Sequence, residues 1–194
     1  MERIDTPRLR LRVMGEGDED LYCRLYTDPQ VMHHIAQPLA IDVARRSFQV
    51  AREQAFERPM RRPWWVIHEG ASMADVGVVG LVREDAVAEM GIVLLPEAQR
   101  RGIAREAMSA VAARAMATGL VTQLWLRHAP QNLAMAAVAS RLGLFREDDG
   151  PGPDSCRWRM RAGDTVVAGE HAHAGVADLP AHPSTSLRYA RDER

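Results

Sequence analysis

The sequence predicts an α/β domain: one mixed sheet with helices packed against it. Three observations carry that expectation. Met90–Met116 reads as a buried strand, a short basic glycine loop and a long helix in direct succession. Three strand-like runs, Trp64–His68, Val76–Val82 and Val87–Leu95, lead into that unit as an antiparallel meander joined by turns. After it, strand and helix patterns alternate again through Gln123–Arg127, Asn132–Leu142 and Cys156–Met160.

Composition sets outer limits. A chain of 194 residues is expected to form one domain with a proper core. With 46% hydrophobic and 26% charged residues it has the balance of an ordinary soluble protein. A formal net charge of -1 argues against a strongly basic nucleic-acid binder. Arginine supplies every Lys+Arg charge, because the chain contains no lysine, and this reads as genomic bias. Cys23 and Cys156 are too few for a disulfide framework. The opening MERIDTPRLRLR is charged and lacks the apolar core of a signal peptide. No apolar run approaches membrane-spanning length, so a cytoplasmic protein is expected.

Taken in order, Arg8–Val13 alternates arginine with apolar residues, as in a strand with one buried face at a sheet edge. Asp18 opens a helix with Leu21, Tyr22 and Leu25 on its apolar face, closed by Asp28-Pro29. Val31–Ile35 reads as a second short helix. Its His33 and His34 are adjacent, point to different faces and make a poor metal pair, so a surface or packing role is expected, the alternative being that one of them lines a substrate cleft. Ile41–Phe56 forms another helix that ends before Pro59, and Arg58, Arg61 and Arg62 read as a solvated loop. Within the meander, Trp64 and Trp65 point to opposite faces, one toward the core and the other free to wall a pocket. Gly77 and Gly80 weaken a strand and mark a bulge or a close approach. Turns are expected over Glu69–Asp75 and near Glu84-Asp85.

Gly119 is a C-cap for the long helix. Asn132 caps the next, and Gly143 ends it. Leu144–Arg146 turns back toward a strand, and Asp148–Asp154 is a loop before the last one. From Gly163 onward the chain has no Ile, Met, Phe or Trp. The division expected is a domain over residues 1–162 and a disordered or loosely attached tail over 163–194. His171 and His173 have no evident third ligand, so no metal is expected.

The loop Gln99-Arg100-Arg101-Gly102-Ile103-Ala104 carries chemistry. A first helical turn leaves free N–H groups and a partial positive charge. Gly102 admits a close ligand, and Arg100 and Arg101 add charge, which together describe a pocket for a diphosphate or similar anion. A plain β–α turn with two solvated arginines is the alternative. The loop is neither a dinucleotide fingerprint nor a Walker A loop, since it has neither G-x-G-x-x-G nor Gly-Lys-Ser/Thr. It resembles motif A of the GNAT acyltransferases, Arg/Gln-x-x-Gly-x-Gly/Ala after a hydrophobic strand and a proline.

Other stretches are similar to the RimJ/RimL-type ribosomal-protein N-acetyltransferases of that family. They are Thr6-Pro7-Arg8-Leu9-Arg10-Leu11-Arg12, Thr27-Asp28-Pro29-Gln30-Val31-Met32, Ala88-Glu89-Met90-Gly91, and Asn132 with Leu142-Gly143-Leu144. The resemblance covers about residues 3–160. It implies a mostly antiparallel, splayed sheet and direct acetyl transfer from acetyl-CoA to an amine, with no metal. It implies that backbone groups of Val93, Leu94 and Leu95 pair with the pantetheine arm as an added strand, one of them polarising the thioester carbonyl. The amides of Gln99, Arg100, Arg101, Gly102, Ile103 and Ala104 would take the pyrophosphate, and the Asn132 side chain would bond the pantetheine.

Such a reaction needs a base, because a free amine is mostly protonated at neutral pH. Glu89 is the candidate, sharing a strand face with Gly91, Val93 and Leu95. A carboxylate amid Val87, Ala88, Met90 and Ile92 would be desolvated, which suits a base. The alternative is a rim carboxylate that only binds the substrate ammonium. The family's hydroxyl positions, three and seven residues after the Asn, hold Met135 and Ala139, so the departing thiolate would take its proton from water. The acceptor implied is a peptide or protein N-terminal amine. Alternatives are a small amine (amino acid, polyamine or antibiotic) or a CoA-binding module without turnover. No nucleic-acid or membrane partner is expected, and the chain is a monomer or homodimer.

Overall fold

Apolar residues alternating with arginine draw Leu9–Val13 (β2) into a sheet, with Leu9 and Leu11 buried. Arg3–Asp5 (β1) pairs antiparallel with it, Ile4 opposite Leu11. β1 was not expected, because one apolar residue in three sets up no readable period. This computed structural model describes residues 3–56, 62–70, 74–147 and 155–164.

After β2 come a 3-10 turn at Glu16–Asp18 and three helices, Glu19–Thr27 (α1), Pro29–Met32 (α2) and Ile41–Phe56 (α3). The Asp18 carboxylate makes no cap bond to α1. It is buried, and it accepts from the Arg12 guanidinium (2.6 Å) and the Gly15 amide (2.7 Å). α2 begins at Pro29 rather than Val31. The Asp28 side chain accepts from the amide of Gln30 at 2.7 Å, and proline suits the first helical position. Asp28-Pro29 therefore closes one helix and opens the next.

The meander forms as Trp64–Glu69 (β3), Ala74–Glu84 (β4) and Val87–Leu94 (β5). It is followed by the helix Ile103–Ala117 (α4), the strand Gln123–His128 (β6), the helix Leu133–Arg141 (α5) and the strands Phe145–Glu147 (β7) and Cys156–Arg161 (β8). The eight strands order as β1-β2-β3-β4-β5-β6-β8-β7. Every neighbouring pair is antiparallel except β5 and β6.

Two apolar layers hold the sheet. On one face Ile103, Ala107, Met108 and Val111 of α4 pack with Trp65, Ile67, Leu81 and Met90. On the other, Tyr22, Leu25 and Tyr26 of α1 and Phe48 of α3 pack with Val66, Val78 and Val93. β3 is covered on both sides, which is why its first four residues, Trp64 to Ile67, are an unbroken apolar run. Apart from His68 with Asp75, the cations of the ion pairs among the described residues are arginines.

No helix among the described residues is long and apolar enough to cross a membrane. Arg58, Arg61, the Asp148–Asp154 loop, His171, His173 and the tail from residue 165 lie outside the described residues.

Candidate active site

β5 and β6 pair in parallel only from Val87 to Met90, against Gln123 to Leu126. Beyond that point the ladder stops. β5 continues along β4 to Leu94, and β6 continues along β8 to His128. The two halves of the sheet part here, and one edge of β5 has no strand beside it.

Which groups line that edge follows from antiparallel geometry. The Leu95 amide donates to Val76 O at 3.0 Å, so Leu95 faces β4. Alternation then turns Val93 and Gly91 toward β4 as well, and Ile92 and Leu94 toward the gap. This corrects the expectation for Val93–Leu95. The backbone groups of Val93 and Leu95 are taken by β4, and the free edge belongs to Ile92 and Leu94. The Leu94 carbonyl there accepts from Gln99 Nε2 at 3.1 Å.

The loop before α4 is a cradle of unused donors. Gln99 is not one of them, because its amide donates to Pro96 O at 3.2 Å. The amides of Arg100 to Arg105 donate to no acceptor among the described residues, and Glu106 is the first to bond back, to Gly102 O. Arg100 (φ 58°) and Gly102 (φ 79°) both sit in the left-handed region, where successive N–H groups converge as in an anion nest. Ile103 is buried under the loop and anchors it.

The two loop arginines have different roles. Arg101 forms an ion pair with Glu69 at the end of β3, and its carbonyl accepts from Arg8 Nη1 at 3.1 Å. Arg100 is exposed and makes no ion pair among the described residues. Behind the loop, the Glu106 carboxylate accepts from Thr6 Oγ1 (2.6 Å), the Arg8 amide (3.0 Å) and Arg8 Nε (2.7 Å). Burial alone raises the Glu106 carboxyl, but these hydrogen bonds outweigh it and hold it below the ordinary glutamate value. The Thr6–Arg12 stretch thus clamps the first turn of α4 to the sheet.

Where β5 and β6 part lies a cavity of about 240 Å³. Glu89 enters it from β5, and Leu126, Arg127 and His128 from β6. Tyr26, His34 and Trp64 come from the α1–α3 side. Glu89 is not held among apolar neighbours alone, as its strand context implied. Arg127 Nε lies 3.1 Å from its Oε1, and Arg127 Nη2 bonds Oε2. Both side chains are nearly buried, 14% and 9% exposed. Trp64 walls the cavity while Trp65 is wholly buried, as their opposite facing requires.

Asn132 caps α5, its Oδ1 accepting from the Met135 amide at 3.0 Å, so Nδ2 is the group left for a ligand. Met135 lines the cavity and Ala139 is buried in the core, so neither offers a proton. His128 Nδ1 lies 2.8 Å from Ala129 O and its Nε2 accepts from Trp158 Nε1 at 2.9 Å, which assigns the proton to Nδ1. Tyr26 also lines the cavity, and burial pushes its hydroxyl well above the ordinary tyrosine value.

Sequence reasoning missed Arg127, His128 and Tyr26 as wall residues. For Arg127 there was a signal. In Leu124-Trp125-Leu126-Arg127 the arginine alternates away from the two leucines, onto the face that Glu89 takes once β5 and β6 pair.

A family model for the GNAT acetyltransferase domain matches residues 8–144. Among solved structures, an acetyltransferase from Agrobacterium tumefaciens is 23% identical with a TM-score of 0.72, covering 84% of this chain and 95% of its own. A RimL ribosomal alpha-N-protein acetyltransferase in complex with coenzyme A is 17% identical with a TM-score of 0.72, covering 82% and 98%. Spermidine N-acetyltransferase from Vibrio cholerae, in complex with CoA and spermine, is 18% identical with a TM-score of 0.69, covering 80% and 96%. With the parted sheet and the amide cradle, the family match shows that the chain belongs to the GNAT acetyltransferases and is an acetyl-CoA-dependent N-acetyltransferase.

Proposed function

We propose that the chain acetylates the N-terminal amine of a peptide or protein, in the manner of the RimJ/RimL branch, with Glu89 receiving the amine's proton. The observation that carries this reading is a carboxylate at the point where β5 bares its backbone edge. Bound acetyl-CoA supplies an acetyl group activated as a thioester, which passes to the amine with release of the CoA thiol.

The chain's own groups do the rest. The amides of Arg100 to Ala104, with the Arg100 guanidinium, hold the pyrophosphate. Ile92 and Leu94 offer N–H groups to the gap, and one of them stabilises negative charge as it develops on the thioester oxygen. Asn132 Nδ2 steadies the pantetheine arm. Glu89 accepts the proton, directly or through one water. Water protonates the departing thiolate, since Met135 and Ala139 have no proton to give.

Charge supports a singly charged acceptor over a polyamine. Among the described lining residues Glu89 is the one carboxylate, and Arg127 neutralises it. Among the described residues a polycation therefore finds no acidic trough. Similarity to the RimL enzyme supports a peptide amine within that class.

The experiment is thiol release from acetyl-CoA with peptides of different N-terminal residues beside free amino acids, spermidine and aminoglycosides. Wild type and Glu89→Gln are compared. Peptide-dependent release that falls by about 10²-fold or more in the variant is expected. Release with small amines alone would replace the acceptor, and full activity in Glu89→Gln would remove Glu89 from proton transfer.

A further inference from the structure

We propose that Arg127 is a positioning residue for proton transfer, serving as the counter-ion of Glu89 and holding its carboxylate in one orientation where β5 and β6 part. The inference rests on the proposed role of Glu89. Its own ground is geometric. Arg127 faces Glu89 through two N–H groups, Nε at 3.1 Å and Nη2 on the second oxygen, a forked contact that a single ammonium cannot reproduce. Both partners line the reaction cavity, and both are nearly buried.

Among the described residues no other cation pairs with Glu89 in this way. On β6 the residue beside Glu89 in register is Trp125. On β8, Arg157 lies opposite Arg127, but its guanidinium bonds Glu147 and covers the Trp125 ring at 4.2 Å. β4 sets Val82 opposite Glu89, with the exposed Glu84 two residues further along the same face. From the helical side come the Tyr26 hydroxyl and the exposed His34. The His128 ring is held by Ala129 and Trp158.

A buried carboxylate without its counter-ion holds its proton more tightly. It is then a worse acceptor for the amine's proton at low pH, although a better one once ionised. Removing the charge of Arg127 should therefore move the acidic limb of the rate profile upward rather than only scale the rate.

The test is the pH dependence of kcat/KM for thiol release, in wild type, Arg127→Gln, Arg127→Lys, Glu89→Gln and the double variant Glu89→Gln/Arg127→Gln. Arg127→Gln is expected to shift the acidic limb up by about one unit or more, with the KM for acetyl-CoA within about twofold of wild type. Arg127→Lys keeps the charge and loses the fork. It should leave the limb near its wild-type position while lowering kcat several-fold, and it preserves the test if Arg127→Gln fails to fold. In Glu89→Gln/Arg127→Gln the second change should move neither rate nor limb beyond Glu89→Gln alone. An unmoved limb in a folded Arg127→Gln overturns the proposal, as does a limb in Arg127→Lys displaced like that of the glutamine variant. If Glu89→Gln alone keeps full activity, the reading of Glu89 fails instead.

Discussion

Gly77→Ala puts the parting of the sheet under direct strain. A Cβ at Gly77 would lie 2.3 Å from Val93 O and 2.6 Å from Leu94 Cδ2. Ordinary carbon contacts begin near 3.5 Å, so β4 and β5 must separate by about 1 Å. The first obstacle is backbone, which cannot swing aside as a side chain can. Overpacking of this kind costs about 1–3 kcal/mol, and each ladder hydrogen bond lost adds about 1 kcal/mol. The lower entropy of the unfolded alanine chain returns about 0.4–1 kcal/mol. The net is about 2–4 kcal/mol. At about 2–4 °C per kcal/mol for a chain of this size, Tm should fall by about 4–16 °C.

Thermal unfolding followed by circular dichroism measures this, with Gly80→Ala as the control. At Gly80 the added methyl would meet the Trp64 ring, at 2.7 Å from its nearest atom, and a half-buried ring can tilt. Gly80→Ala should lose less stability and instead raise the acceptor KM by moving a cavity wall. Because Gly77 abuts the free edge at Leu94, its variant should also weaken acetyl-CoA binding. A Gly77→Ala protein that melts within about 2 °C of wild type would refute the reasoning, since the close approach would then not be rigid.

Two more outcomes are expected. Arg100→Ala should raise the KM for acetyl-CoA several-fold with Tm unchanged, whereas Arg101→Ala, which loses the contact with Glu69, should act on the KM only through the shape of the loop and so by less. Kinetics at varied acetyl-CoA separates the two, and equal effects would contradict the division of roles. Glu106 is held below its ordinary value, so its contribution to stability is complete above the unfolded glutamate pKa, about 4.3, and is lost as pH falls through the lower folded value. Urea unfolding of wild type and Glu106→Gln should therefore differ most at neutral pH and converge in acid. A constant difference down to pH 2 would refute the linkage.

The parts of the fold legible in the sequence were those written in short-range pattern. The α3 helix, the three meander strands and the close approaches at Gly77 and Gly80 each follow from residues within a few positions of one another. What could not be read depends on pairing between distant segments. Whether Val93 or Ile92 presents its amide to the gap is decided by the register of β5 on β4, through the bond from Leu95 to Val76. The pairing of Arg127 with Glu89 depends on β5 and β6 lying parallel across an intervening helix. Arg101 read as an anion ligand because nothing local shows that Glu69 stands beside it. Asp18 read as a cap because its burial against Arg12 is set by β2. The loop's peptide groups were the more legible half of the site, and the proton-handling side chains the less legible.

The guanidinium groups in the ion pairs have a chemical consequence for a catalyst of this kind. Activated thioesters acetylate exposed lysine side chains slowly even without an enzyme, through the small unprotonated fraction of the amine, and each event erases a positive charge. Arg8 on Glu106, Arg12 on Asp18, Arg101 on Glu69 and Arg127 on Glu89 present no nucleophilic amine, because guanidinium stays protonated at any physiological pH. With no lysine anywhere in its sequence, the enzyme has no side-chain amine to modify. Its electrostatic framework is chemically inert toward its own reagent, so the charges that shape the loop and the cavity persist however much acetyl donor surrounds them.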